Sequence, residues 1–254
     1  MNNKLNLKIL IPTYRRAKIF KHTLDSLFDT IDESIFNVEI HIGILADDIE
    51  TMEYYIQRKK NPNVGFTSCK FYRTNIGKAK CLNDLFNTYC WHDDTDFVLT
   101  LDNDIVFYQP WLKHIETVVS TTYMLKWDFF TFSGKNCFMT MPDNLEQMTF
   151  IADYQYKSEI YNIRWAMAQG GGMVLYPYLW LDDHPFESIG DGVYLGEDEA
   201  HCRATNRRYV LYHDSDWIRH DPHADLYPEY KQYYEKKTKQ IEEGNYYFAP
   251  DWDK

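Results

Sequence analysis

The sequence predicts an α/β protein built on a parallel sheet covered by helices. Three observations carry that expectation. Short apolar runs alternate with amphipathic stretches in a β-α-β-α-β-α-β order up to about residue 107. Runs such as Lys8–Ile11, Val38–Ile44 and Phe97–Leu101 are short and rich in Ile, Leu and Val, as buried parallel strands are. The 254 residues suit one large α/β domain, and neither repeats nor low-complexity stretches interrupt them.

The elements follow in order. Lys8–Ile11 reads as a short apolar strand ending at Pro12, which has no N–H to donate. A helix is expected to open at Thr13, because Ala17, Phe20, Leu24, Leu27 and Phe28 recur at three- and four-residue spacing. Val38, Ile40, Ile42 and Ile44 alternate with Glu39, His41 and Gly43, a period of two that marks a strand. Residues 49–57 read as a helix and 66–72 as a strand. Ala79, Leu82, Phe86 and Tyr89 mark a third helix, and Phe97–Leu101 a fourth strand. Beyond residue 105 the pattern loosens. A helix is expected near 111–124 and a strand at Asp128–Phe132, and residues 133–168 read as irregular and aromatic-rich. Gly170, Gly171 and Gly172 lead into a strand at Met173–Tyr176. A helix follows Gly196, a short strand covers Tyr209–Tyr212, and the tail after Pro228 reads as helical to about Glu243.

Composition narrows the function. The formal charge of −11, from 27 basic and 38 acidic residues, argues against bulk attraction to nucleic acid or anionic membrane. No window approaches the ~18 apolar residues of a membrane span, and the first residues lack a signal peptide's apolar run. Five scattered cysteines without a Cys-x-x-Cys pair read as free thiols, so a cytoplasmic setting is expected. The 21 tyrosines and seven tryptophans suit packing, and also surfaces that stack on bases or sugar rings.

The strongest chemical signal is Asp102-Asn103-Asp104, between Phe97–Leu101 and Ile105-Val106-Phe107. Taken as extended backbone, it projects both carboxylates from one face, where like charges repel and lose hydration. A divalent cation such as Mg²⁺ or Mn²⁺ relieves that cost and can bridge a diphosphate. A polar turn that caps backbone groups is the plainer reading. Gly196-Glu197-Asp198-Glu199 stands at a helix start, where acids either serve the macrodipole or supply a general base. His213, His220 and His223 read as loop histidines or ligands.

Order along the chain makes these features specific. Ile11-Pro12-Thr13-Tyr14-Arg15-Arg16 follows the first strand, and Asp47-Asp48 follows the second. Asn75-Ile76-Gly77-Lys78-Ala79, with Asn83, precedes the Asp102 strand; a glycine-led strand, Gly196-Glu197-Asp198 and His220 come after it. The succession, over about residues 8–223, resembles the GT-A fold glycosyltransferases. The likeness is to the large inverting family that includes cellulose, chitin and hyaluronan synthases and many small soluble enzymes.

That resemblance implies a Rossmann-like nucleotide-binding half with a mixed central sheet and helices on both faces. It implies one domain over 1–254: a nucleotide-sugar half to about 107, an acceptor and catalytic half over 108–227, and a helical tail. Pro12, Thr13, Tyr14 and Arg16 then cradle base and ribose, and Asp47 or Asp48 bonds the base. Asn75, Gly77 and Lys78 approach the nucleotide, and Asn103, Gly171 and Gly172 line the donor site. Asp102 contacts ribose or metal, Asp104 ligates Mn²⁺ or Mg²⁺, and His220 is a further metal or phosphate ligand. Asp198 falls on the family's catalytic base, with Glu197 beside it. The implied partners are a nucleoside-diphosphate sugar, chiefly a UDP-sugar, and a hydroxyl-bearing acceptor, with no integral membrane contact. A saccharide or small molecule ranks first as acceptor, ahead of a hydroxymethylated base in phage DNA.

Two departures bear on the activity. Leu82 stands where many relatives carry a basic residue. The processive members' Gln-x-x-Arg-Trp stretch is missing, and Asn162-Ile163-Arg164-Trp165 lies upstream of the glycines. Transfer of a single sugar is therefore expected. A nucleotidyltransferase should show Gly-x-Gly-Thr-Arg after the first strand, and Pro12-Thr13-Tyr14-Arg15-Arg16 is not that. A metal-dependent nuclease has no need of the ordered nucleotide elements. A non-catalytic sugar-binding module has no need of the paired carboxylates.

Overall fold

The computed structural model describes residues 4–31, 36–59, 67–122, 126–133, 152–156, 159–165, 172–187, 197–205, 207–212 and 218–220. Strands β1 (Leu5–Pro12), β2 (Phe36–Leu45), β3 (Thr67–Tyr72) and β4 (Phe97–Leu101) alternate with helices α1 (Ala17–Thr30), α2 (Ile49–Arg58) and α3 (Lys78–Tyr89). Next come β5 (Ile105–Phe107), α4 (Trp111–Thr122), β6 (Phe129–Ser133), β7 (Ala152–Tyr156) and β8 (Glu159–Trp165). The chain continues through β9 (Met173–Pro177), α5 (Tyr178–Asp183), α6 (Glu197–Ala204), β10 (Arg208–Tyr212) and β11 (Ile218–His220).

Among the described residues, nine strands form one sheet in the order β3-β2-β1-β4-β9-β6-β10-β8-β7. The first four run parallel, as their helical crossovers require. Strand β9 enters antiparallel between β4 and β6, so the sheet is mixed. A separate antiparallel pair joins β5 to β11, with His220 opposite Ile105.

Strand β1 is buried on both faces, and its side chains alternate between them, dividing the core in two. Leu7, Ile9 and Ile11 pack with Phe20, Leu24 and Leu27 of α1, Tyr55 of α2 and Trp111 and Ile115 of α4. Leu10, on the other face, packs with Ala79, Leu82 and Leu85 of α3 and Leu181 of α5. The Leu82 position is thereby explained, because a basic residue there would enter this core. Gly43 lets α3 approach β2 closely: a Cβ there would lie 2.4 Å from Cys81 Sγ. Cys69, Cys81 and Cys90 are free thiols, and burial pushes each up to about 12. No helix among the described residues is long and apolar enough to cross a membrane.

Three expectations are corrected. The first helix opens at Ala17, not Thr13, because Arg15 and Arg16 hold positive φ values of 51° and 65° that no helix accommodates. Asp102, Asn103 and Asp104 form a turn between β4 and β5 instead of extended backbone. Part of the stretch read as irregular is an antiparallel hairpin, β7 with β8, closed where Tyr156 faces Glu159. Asn162–Trp165 lies in that hairpin, paired antiparallel with β10. The tail read as helical lies outside the described residues.

Candidate functional site

The parallel strands all deliver their carboxyl ends to one edge of the sheet, and chain order reverses between β1 and β4. Open α/β sheets bind ligands outside such a switch point. The loops that meet there are 13–16 after β1, 46–48 after β2, 73–77 after β3 and 102–104 after β4.

The β4–β5 turn is the centre of this edge. Asn103 is buried and its amide donates to Thr13 Oγ1 at 3.0 Å, while its Oδ1 accepts a hydrogen bond from Arg16 Nη2. Its backbone carbonyl accepts from the Thr23 hydroxyl of α1 at 3.0 Å. Arg16 also reaches Asp104 Oδ2 at 3.4 Å, beside a carboxylate that is almost wholly buried. Arg15 and Arg16 both hold left-handed backbone in the loop from which Arg16 reaches Asn103 and Asp104. Such strain gathers at functional sites and is held only by its surroundings, here Asn103 and Asp104.

Asp102 receives a second cation. Asn75 Oδ1 accepts from the Gly77 amide at 3.0 Å, a turn that places Lys78 at the start of α3. Gly77 has φ 82°, a conformation that glycine alone adopts without strain. From there Lys78 Nζ lies 2.8 Å from Asp102 Oδ1. On the other side, the Asp102 amide donates to Gly172 O at 2.8 Å, tying the turn to the head of β9. Asp102 and Asp104 therefore each carry a basic partner, Lys78 and Arg16. Neither carboxylate is left as bare charge.

The acids after β2 divide their work. Asp48 caps α2, its Oδ1 accepting from the Thr51 amide at 3.2 Å. Asp47 is exposed and lies 3.4 Å from Arg15, whose guanidinium also sits over the Tyr14 ring at 5.6 Å from its centroid. Pro12 pairs with Gly43 at the end of β1, and the Thr13 amide continues to Gly43 O at 2.9 Å.

The structure thus gathers Thr13, Arg16, Lys78, Asp102, Asn103, Asp104 and Gly172 at one place, with Tyr14 and Asp47 at its rim. The register of β11 brings the His220 backbone to Ile105, next to Asp104. Glu197 and Asp198 form the first turn of α6. Gly171 lies outside the described residues. Among the described residues no three His, Cys, Asp or Glu side chains converge as a ready metal cluster. The two carboxylates on this one turn are hard oxygen donors of the kind that suits a divalent cation. Sequence reasoning missed Thr23, and it did not anticipate that Asn103 also braces the turn through Thr13, Thr23 and Arg16. Nothing local signals the contact of Thr23 with Asn103, since the two are separated by five elements of structure.

The architecture has solved counterparts. TarS from S. aureus (residues 1–349) matches 83% of this chain and 60% of its own, at 16% identity and a TM-score of 0.56. The same protein in complex with UDP matches 83% and 61%, at 15% identity and a TM-score of 0.57. Mannosyltransferase PcManGT from Pyrobaculum calidifontis, in complex with GDP-Man and Mn²⁺, matches 83% and 57%, at 14% identity and a TM-score of 0.57. The chain thus spans about three fifths of the length of these solved chains. No protein-family model and no curated protein matches the sequence. The likeness is one of fold: the chain has the GT-A-like architecture of these proteins.

Proposed function

We propose that the chain is a metal-dependent glycosyltransferase that moves one sugar from a nucleoside-diphosphate sugar to an acceptor hydroxyl. The observation that carries this reading is the Asp102-Asn103-Asp104 turn. It sits at the sheet's switch point, braced by Thr13 and Arg16 and faced by Lys78. The fold's occurrence in a mannosyltransferase holding GDP-Man and Mn²⁺, and in TarS holding UDP, supports it.

Asp104 and Asp102 hold the Mn²⁺ or Mg²⁺, with His220 as helper. Bound there, the ion neutralises charge on the departing diphosphate. Arg16 and Lys78 add two positive charges toward the same oxygens, which strengthens donor binding in a partly buried site. Asp48 is committed to its helix, so Asp47 is the acid that bonds the base. Pro12 and Tyr14 flank base and ribose, Asn75 and Gly77 shape the loop beside the nucleotide, and Gly171 and Gly172 let backbone approach the donor. The preferred donor is a UDP-sugar. Asp198 takes the acceptor proton, with Glu197 beside it, and transfer inverts the anomeric carbon. Within the single domain, about residues 1–107 form the nucleotide-sugar half and 108–227 the acceptor and catalytic half.

The acceptor is a saccharide or small-molecule hydroxyl. A duplex binder normally presents a net basic face, and the charge of −11 opposes that. The test is a donor screen by nucleoside-diphosphate release with saccharides, plain DNA and hydroxymethylcytosine DNA as acceptors. Turnover on a saccharide and on neither DNA is expected. Turnover on modified DNA alone would reverse the acceptor assignment, and no donor-dependent release on any acceptor would remove the transferase reading.

A further inference from the structure

We infer that His201 is a positioning residue that locks α6, and with it Asp198, to the strand that holds the Asp102 turn. The inference rests on the reading of Asp198 as the base. His201 is 2% exposed on an eight-residue helix that is otherwise strongly polar. Both ring nitrogens are engaged: Nε2 lies 3.0 Å from His184 O and Nδ1 lies 3.2 Å from the Tyr176 hydroxyl. A carbonyl only accepts, so Nε2 carries the proton and donates to His184 O, while Tyr176 donates to Nδ1. The neutral imidazole satisfies both contacts. Rings surround it, with centroids at 4.8 Å for Phe186, 5.1 Å for Trp180 and 5.3 Å for Tyr176.

Those partners have a direction. His184 ends α5 and Tyr176 lies in β9, so His201 bonds to two successive elements of one rigid unit. Four residues before Tyr176, Gly172 O holds the Asp102 amide. Asp198 stands one helical turn before His201, about 4.5 Å along the axis. A continuous chain of hydrogen bonds and packed rings therefore fixes the helix of the base relative to the turn of the donor site. A burial-only role would have been met by Leu or Phe. Two directed bonds fix the helix's rotation as well as its depth.

The test compares wild type with His201→Phe, which keeps ring volume but loses both bonds, and His201→Gln, whose amide can donate to His184 O. Tyr176→Phe is the second route, removing one bond without touching α6. Hydrogen–deuterium exchange over Glu197–Ala204 should rise about tenfold or more in His201→Phe and return toward wild type in His201→Gln. In the donor-turnover assay, His201→Phe and Tyr176→Phe should lower kcat by about 10- to 100-fold, with donor KM within twofold. His201→Gln should recover most of kcat. Unchanged α6 exchange in both Phe variants would overturn the anchor. Faster exchange with unchanged kcat would overturn the positioning role. A wild-type chain that turns over no nucleotide sugar, yet shows the exchange change, would instead fault the function reading and leave the anchor standing.

Discussion

Replacing Asp104 with Ala separates what this carboxylate does for the fold from what it does for the donor. Its contact with Arg16 is long, 3.4 Å, and Arg16 keeps its bond to Asn103 when Asp104 is gone. The lost Arg16 contact is a charge-assisted hydrogen bond in a partly buried pair, so it should cost about 2 kcal/mol, which lowers Tm by roughly 4–8 °C in a chain of this size. The functional cost is larger. Losing the main oxygen donor for the metal should lower donor turnover by ~10²-fold or more, equivalent to about 2.7 kcal/mol of barrier. The assay pairs a thermal melt with nucleoside-diphosphate release in Mn²⁺ and in excess chelator. Full Mn²⁺-dependent release by Asp104→Ala, or full wild-type release in chelator, would refute the reasoning. A Tm fall well beyond 10 °C would instead show Asp104 to be a structural residue.

Asp198→Asn, nearly isosteric but unable to take a proton at neutral pH, should reduce turnover by ~10²-fold or more while nucleotide binding by calorimetry persists. NMR of the wild-type product should show an inverted anomer, and retention would overturn the base role. Asp48→Ala should cost about 0.5–2 kcal/mol of stability through the lost cap, yet leave nucleotide affinity within twofold. Asp47→Ala should do the reverse, and equal affinity losses in both would contradict the division of labour. His41, stacked on Tyr89 at 4.4 Å, is pushed down to about 3 by burial and then by Lys8. The unfolded chain therefore binds its proton first, and this contribution is complete above pH 6.5 and lost progressively as pH falls toward about 3. Between pH 7 and 5 the stability of His41→Gln should fall less steeply than wild type, and parallel slopes would reject the assignment.

The first half of the fold was legible because buried parallel strands and amphipathic helices write their periods directly into sequence. Ile40, Ile42 and Ile44 alternate with Glu39, His41 and Gly43 because one face of β2 joins the apolar core with α1, while the other carries polar pairs and the close approach of α3 at Gly43. Phe20, Leu24 and Leu27 recur because one face of α1 covers the sheet. The start of α1 was misread because its apolar period runs back toward Thr13, whereas two left-handed arginines decide the backbone there. The β7–β8 hairpin was missed because its strands mix tyrosines with Asp, Gln, Asn and Arg and lack a clean apolar alternation. At only six residues, α5 is too short for a helical period to register. At the site, Asp102 and Asp104 announced themselves through their spacing. Lys78 and Arg16 did so only through the order of motifs, and their pairing with those acids arises from sheet order. The same holds for His201, whose partners Tyr176 and His184 lie 25 and 17 residues away.

The most direct test of the donor site is the thermal shift of the wild-type chain with UDP or GDP, Mn²⁺, both together, and both with excess chelator. A ligand at 100 times its Kd that binds only the native state adds about 2.7 kcal/mol. For a chain of this size that is a rise in Tm of roughly 5–10 °C. The rise should occur only when nucleoside diphosphate and Mn²⁺ are present together, and should vanish in Asp104→Ala. An equal shift with nucleotide in chelator, or no shift under any combination, would contradict a metal-dependent nucleotide site at the Asp102-Asn103-Asp104 turn.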